Sequence, residues 1–342
     1  MAFAAGSDVP YVEIARRFAD EVLFPAALST DASDVVPREL LDGLASAGLY
    51  GVGVDADFAT TCAVLEELAS GCLTTAFLWM QHLGLVHTLA ASGPAEVAAR
   101  WLAPLAAGEI RAGLGLGGAL PQPTVHARAD QGGWVVGGVS PFVSGWGRVD
   151  VVHLAARTAD DQVVWLIADA AEGPALRSER LHLAALNATA TVRVTFTQLR
   201  VGADRVTGLH PASGETAPEA LRLHASLALG VTSRCCRLLG PTPLDGDLAR
   251  LRADLDQLGP GILPARAAAG ALAMRAAAAL MASRGSTSLL VSDHAQRLMR
   301  EAAFTLVYAL RPASRSSLLS SLGAVELAEP AQPRSQSGAP MR

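Results

Sequence analysis

Proton transfer and nucleophilic attack need a small set of side chains, and in this chain those side chains are scattered. A general base works best with a pKa near the working pH, and histidine needs the least shift to reach it. Of the eight histidines, His82 lies in an apolar run and His294 stands just before Gln296; each reads more readily as a satisfied core or surface side chain than as a base. Glu219 lies three residues before Arg222, and Glu301 directly follows Arg300. No two histidines fall at i and i+4, so no helical metal site is expected. Cys62, Cys72 and the adjacent pair Cys235 and Cys236 form neither a disulfide framework nor a C-x-x-C spacing, and no G-x-S-x-G elbow is present. Gly113-Leu114-Gly115-Leu116-Gly117-Gly118 matches G-x-G-x-x-G, but that fingerprint needs a helix N-terminus to receive a pyrophosphate. Here Pro121 and Pro123 follow, so the match is discounted.

Composition narrows the classes further. With 51% hydrophobic residues over 342 positions the chain can bury a sizeable core. All 27 basic side chains are arginine, the net charge is −5 and no basic cluster occurs, so no nucleic-acid groove is expected. The apolar run over 74–91 is interrupted by Gln81, His82 and His87; a spanning helix needs about 20 residues with few such groups, so the run reads as a buried helix and no membrane as a partner. The first ten residues hold an acid and no positive n-region. A reducing cytoplasm fits the cysteine usage.

The elements that would position these residues come in three blocks. Tyr11, Ile14, Ala15, Phe18 and Val22 form a helical stripe. Pro37 suits the first turn of a second helix bearing Leu40, Leu41 and Leu44, and Gly48 suits its end. Helices over 61–70, 74–92 and 94–105 follow. After Gly108 come short β-rich runs, 111–116, 134–138, 149–157, 163–169 and 191–199, parted by Gly, Pro and Asp. They predict an antiparallel barrel or sandwich, and no parallel sheet, because no helices intervene. Ala-rich helical texture returns over 218–322, with breaks at 240–246 and 259–264. The fold class is thus multi-domain α+β, mainly α: an N-terminal helical domain (1–109), a central β domain (110–208), a C-terminal helical bundle (209–323) and a disordered tail (324–342).

Arg297-Leu298-Met299-Arg300-Glu301-Ala302, leading into Val307-Tyr308-Ala309-Leu310-Arg311, is similar to the end of an acyl-CoA dehydrogenase, where Arg-Leu-Met-Arg-Asp-Ala precedes Tyr-Glu-Gly-Thr. Leu65-Glu66-Glu67-Leu68-Ala69 and Trp101-Leu102-Ala103-Pro104-Leu105 resemble that family's helical domain, and Pro141-Phe142-Val143-Ser144-Gly145-Trp146 resembles its Trp-Ile-Thr-Asn-Gly turn. The resemblance covers about residues 11–322 and implies the family's order of helices, β domain and helical bundle. It further implies a flavoprotein oxidoreductase that uses FAD on an acyl thioester of CoA or a carrier protein, as a dimer or tetramer or paired with a homologous subunit. The Glu of Tyr-Glu-Gly-Thr is the family's base for the α-proton; in register, Ala309 stands in its place. Flavin contacts would fall on Leu116, Gly117 and Gly118 at one β turn, on Phe142, Val143 and Ser144 at another, and on Arg284 near a phosphate. A relocated base would be Glu219, near where some relatives carry one on the first bundle helix, or His82 or His294. Three activities stay open: α,β-dehydrogenation of an acyl thioester, two-component flavin-dependent monooxygenation, and a catalytically degenerate subunit or binding protein that pairs with an intact homologue.

Overall fold

The computed structural model describes residues 10–213 and 215–324; apart from Ala324, the expected tail lies outside them. The first described element is α1 (Tyr11–Phe18), which runs through one π-helical turn into α2 (Phe24–Asp31). The predicted stripe faces inward at Tyr11 and Ala15. Helix α3 (Arg38–Ser46) starts after Pro37 and ends before Gly48, whose φ of +71° is the left-handed turn that glycine permits. After the single turn α4 (Val52–Asp55), the Asp57 carboxylate accepts the Thr60 N–H at 2.7 Å and caps α5 (Phe58–Gly71). Helices α6 (Leu73–Ser92) and α7 (Ala95–Ala106) close this block. The interruptions Gln81, His82 and His87 are all buried in α6, so it is a core helix.

The β block holds eight strands: β1 (Ala112–Gly115), β2 (Val125–Asp130), β3 (Gly133–Val143), β4 (Val151–Arg157), β5 (Gln162–Asp169), β6 (Leu176–Arg180), β7 (Val192–Gly202) and β8 (Val206–Pro211). Their order is β6-β7-β3-β2-β4-β5-β8, with β1 also on β4. Most pairs are antiparallel, but β1 runs parallel to β4, with Ala112 opposite Val151, and β2 meets β4 in parallel where His126 faces Arg157. The expectation of a purely antiparallel sheet is corrected here: the β2–β3 hairpin serves as the crossover that a helix usually supplies. Inward side chains of β2 through β7, among them Val136, Leu154, Val164, Val194 and Phe196, meet in one cluster, so the sheet curls around its own core.

The C-terminal block comprises α8 (Pro218–Leu239), α9 (Pro243–Asp256), α10 (Ile262–Arg284), α11 (His294–Val307) and α12 (Pro312–Ser321). By length and composition α10 could cross a membrane, yet Ala269, Leu272, Ala276 and Leu280 on it lie in the helical core. That core is continuous from Tyr11 to Ala302, so the two helical blocks pack as one body. Gly230 permits the contact: a Cβ there would stand 2.4 Å from the Glu66 carbonyl oxygen of α5. Buried Glu66 accepts from Arg222 Nη2 at 3.0 Å and Arg252 Nε at 2.8 Å, tying α5 to α8 and α9.

Candidate active site

The end of α11 is fixed from several sides before it reaches Ala309. Within the helix, Arg297 and Glu301, both buried, pair at 2.5 Å. Burial pushes the Glu301 carboxyl up, while the Arg297 charge and hydrogen bond oppose that shift. Arg266 of α10, 5% exposed, donates Nη2 to the carbonyls of Thr305 at 3.0 Å and Tyr308 at 3.5 Å. Gln81 of α6 donates to the Tyr308 hydroxyl at 3.1 Å. The Tyr308 ring lies edge-on to Phe77 and to His224, with centroids 4.9 and 5.1 Å away. Ala309 then turns the chain with φ +53°, a left-handed conformation that costs a residue with a Cβ about 1–2 kcal/mol.

A cavity of about 10 Å³ opens beside this turn, lined by Leu221, His224, Arg266, Tyr308, Ala309 and Ser314 among others. That is room for about one water molecule. Its ionisable lining is His224, Arg266 and Tyr308, with no carboxylate. Burial, with the Arg266 charge added, brings His224 down to about 3, so its imidazole is neutral. Burial pushes the Tyr308 phenol up to about 12 and brings Arg266 down to about 10.

The cavity gathers Ala309 but none of the three bases considered from sequence. Glu219 sits half-buried in the first turn of α8, about 200° around the helix from cavity-lining Leu221. His224, three residues beyond Leu221, shares its face. His82 is a structural side chain: its Nε2 bonds the Leu105 carbonyl at 3.1 Å, and its Nδ1 accepts the Ala112 N–H at 3.0 Å. Burial holds it neutral, at about 4. His294 stacks on Phe24 at 4.1 Å and accepts from Arg297. It begins α11, about 20 Å from the Ala309 end, and burial, then Arg297, brings it to about 4. Sequence reasoning considered Glu219 on α8 and did not single out His224, which lines the cavity from the same helix, because the facing of a helix follows from its neighbours. It also missed Arg266, which looks like one more arginine in an Ala-rich run.

The residues expected to hold a flavin fit only in part. Gly117 and Gly118 form a buried 3₁₀ turn, and their glycines are explained by packing. A Cβ on Gly117 would meet Val125 Cγ2 at 2.4 Å, and one on Gly118 would meet Ala156 Cα at 2.3 Å. The turn's carbonyls are already engaged: Thr124 N–H bonds Gly117, Arg157 donates to Gly118 at 3.0 Å and Leu120 at 3.1 Å, and Arg311 donates to Ala119 at 3.3 Å. Val143 is buried, and the Ser144 hydroxyl shares a 2.8 Å bond with Thr191, itself bonded to Thr189. Arg284 is exposed at the end of α10. Phe142 and Leu116, 62% and 40% exposed, still offer an apolar platform. An apolar face is present, while among the described residues the turn carbonyls at 117–120 and the Ser144 hydroxyl are bonded within the chain and so do not fit a flavin-contact role.

A family model described as acyl-CoA dehydrogenase, N-terminal domain, matches residues 11–109. The chain is 30% identical over 156 residues to (2S)-methylsuccinyl-CoA dehydrogenase of Cereibacter sphaeroides, a match spanning 42% of this chain and 28% of that protein. Among solved structures, butyryl-CoA dehydrogenase of Megasphaera elsdenii superposes with a TM-score of 0.75 at 18% identity, covering 94% of this chain and 100% of that one. Dibenzothiophene monooxygenase of Paenibacillus sp. A11-2 does so with a TM-score of 0.74 at 14% identity, covering 91% and 96%. At these identities the two structures speak for the fold, which serves more than one reaction. The fold is thus similar to that of acyl-CoA dehydrogenases over 94% of this chain, and the sequence is similar to their N-terminal domain over residues 11–109.

Proposed function

We propose that this chain is a catalytically degenerate member of the family, a ligand-binding subunit that works beside an intact homologue. One observation carries the reading: the cavity that Ala309 borders has no carboxylate in its lining, and in the register from Arg297 to Tyr308 Ala309 stands where the resembling motif has its Glu. The engaged turn at 117–120 and the bonded Ser144 hydroxyl support the reading. Leu289, Leu290 and Val291, 72%, 57% and 86% exposed in succession, form an apolar edge suited to pairing. Co-expression with a homologue that carries Glu at the 309 position tests it. A mixed oligomer whose acyl-thioester turnover depends on both chains is expected. A homo-oligomer of this chain that turns over a thioester unaided would refute it.

A second reading rests on His224. It lies on the first bundle helix beside Tyr308 and lines the cavity next to Ala309. In that reading the chain is a flavin-dependent oxidoreductase with its base moved to α8, either a dehydrogenase or a two-component monooxygenase. Turnover by the wild type and its loss in His224→Ala, with Glu219→Gln unaffected, is the pattern it requires.

A further inference from the structure

Five arginines are buried among the described residues: Arg111, Arg222, Arg234, Arg266 and Arg297. Four have a carboxylate partner. Arg111 pairs with Asp42, Arg222 with Glu66 and Asp256, Arg234 with Asp20, and Arg297 with Glu301. Arg266 has none among the described residues. Its Nη2 reaches the last carbonyls of α11, the end of a helix worth roughly half a negative charge. Its Nε and Nη1 make no hydrogen bond to the described residues. A guanidinium taken out of water and half neutralised is an unfinished ion pair, and it borders a cavity whose mouth is the exposed residue Ala309.

We propose that this cavity binds a carboxylate group of a small organic ligand. A guanidinium N–H donates a charge-assisted hydrogen bond to a carboxylate oxygen. With room for about one water, the cavity takes the group end-on, one oxygen against Arg266. The remainder of the ligand leaves past Ala309, along the apolar side chains of Leu221 and Leu310. Neutral His224, also in the lining, carries a ring N–H that can donate to the second side of the group. The apolar walls Leu221, Ala267 and Leu318 disfavour a hydrated cation. The ligand is either a free carboxylic acid or the far end of an acyl chain that carries one. The site stands whether or not the chain dehydrogenates, since it requires no redox step.

The test uses the full chain with acetate as the probe, against chloride at matched ionic strength, read by thermal unfolding and by the His224 imidazole NMR signal. His224→Gln assigns that signal. The expected result is a saturable rise in Tm with acetate alone and a shift of the His224 resonance, because a nearby anion raises an imidazole's pKa. Arg266→Gln is expected to weaken the acetate response by roughly tenfold or more. Should Arg266→Gln fail to fold, Ala309→Glu serves: a carboxylate placed at the cavity mouth should raise Tm in plain buffer and abolish the acetate response. Identical effects of acetate and chloride on the wild type, or an acetate response undiminished in both variants, would overturn the proposal and leave Arg266 as a clamp on α11 only. A succinyl-CoA arm separates the two ligand sources: competition with acetate marks an acyl chain's far end, and its absence marks a free acid.

Discussion

Ala309 is where one residue alters what the site can do, and its backbone carries a separate cost. At φ +53° the Cβ is strained, whereas glycine adopts this region freely but loses more entropy on folding. Ala309→Gly is therefore expected to stabilise the protein by about 0.5–1 kcal/mol, measured as a rise in the urea midpoint at constant m. A destabilised variant would mean that the methyl group has packing value the exposed position does not suggest. His82 behaves in the opposite way. Its replacement by alanine leaves the Leu105 carbonyl and Ala112 N–H unpaired and empties a buried volume, a loss of about 2–4 kcal/mol. The resemblance that aligns Ala309 with a motif glutamate could be read because the spacing from Arg297 to Tyr308 is local. His224 and Arg266 were not, since each gains its meaning from a side chain on another helix.

At the scale of elements, the turn between β1 and β2 is held by contact rather than by a ligand. Gly118 lies so close to β4 that a methyl group has no space. Gly118→Ala should cost about 1–3 kcal/mol and displace the carbonyls that Arg157 and Arg311 hold. Chemical denaturation measures the cost; an unchanged midpoint would contradict the packing account of this glycine. The helices were legible from their stripes, as with Tyr11 and Ala15, and from their stops, as with Pro37 and Gly48. Strands β2, β6 and β8 were not: Val125–Asp130 and Leu176–Arg180 each alternate with charged side chains and read as loop. The parallel β1–β4 pair was hidden for a different reason. Pairing across an intervening hairpin leaves no periodic trace in either strand.

For the whole molecule, burial of neutral imidazoles makes acid the weak side. His82 and His294 fall to about 4 and His153 and His224 to about 3, mainly through burial, against an ordinary value near 6.5. Between about pH 4 and 6.5 the unfolded chain therefore binds more protons than the native one, and stability must rise with pH across that window. The contribution is complete above about 6.5 and is lost as pH falls, at up to about 1.4 kcal/mol per unit for each imidazole. Glu301, whose carboxyl is shifted upward, opposes this slope. Urea midpoints measured from pH 7 down to about 5 should fall steeply, and His224→Gln should reduce the slope by about one proton. A flat profile would contradict the buried neutral histidines.

The central claim is that Ala309 marks a lost dehydrogenation. Its most direct test is the visible spectrum of the purified chain, mixed with FAD, passed through gel filtration and titrated anaerobically with acyl-CoA thioesters. The account predicts little retained flavin and no bleaching of the oxidised band by any thioester. Stoichiometric flavin that a thioester bleaches in the wild type, and not in His224→Ala, would contradict it and place a working base on α8.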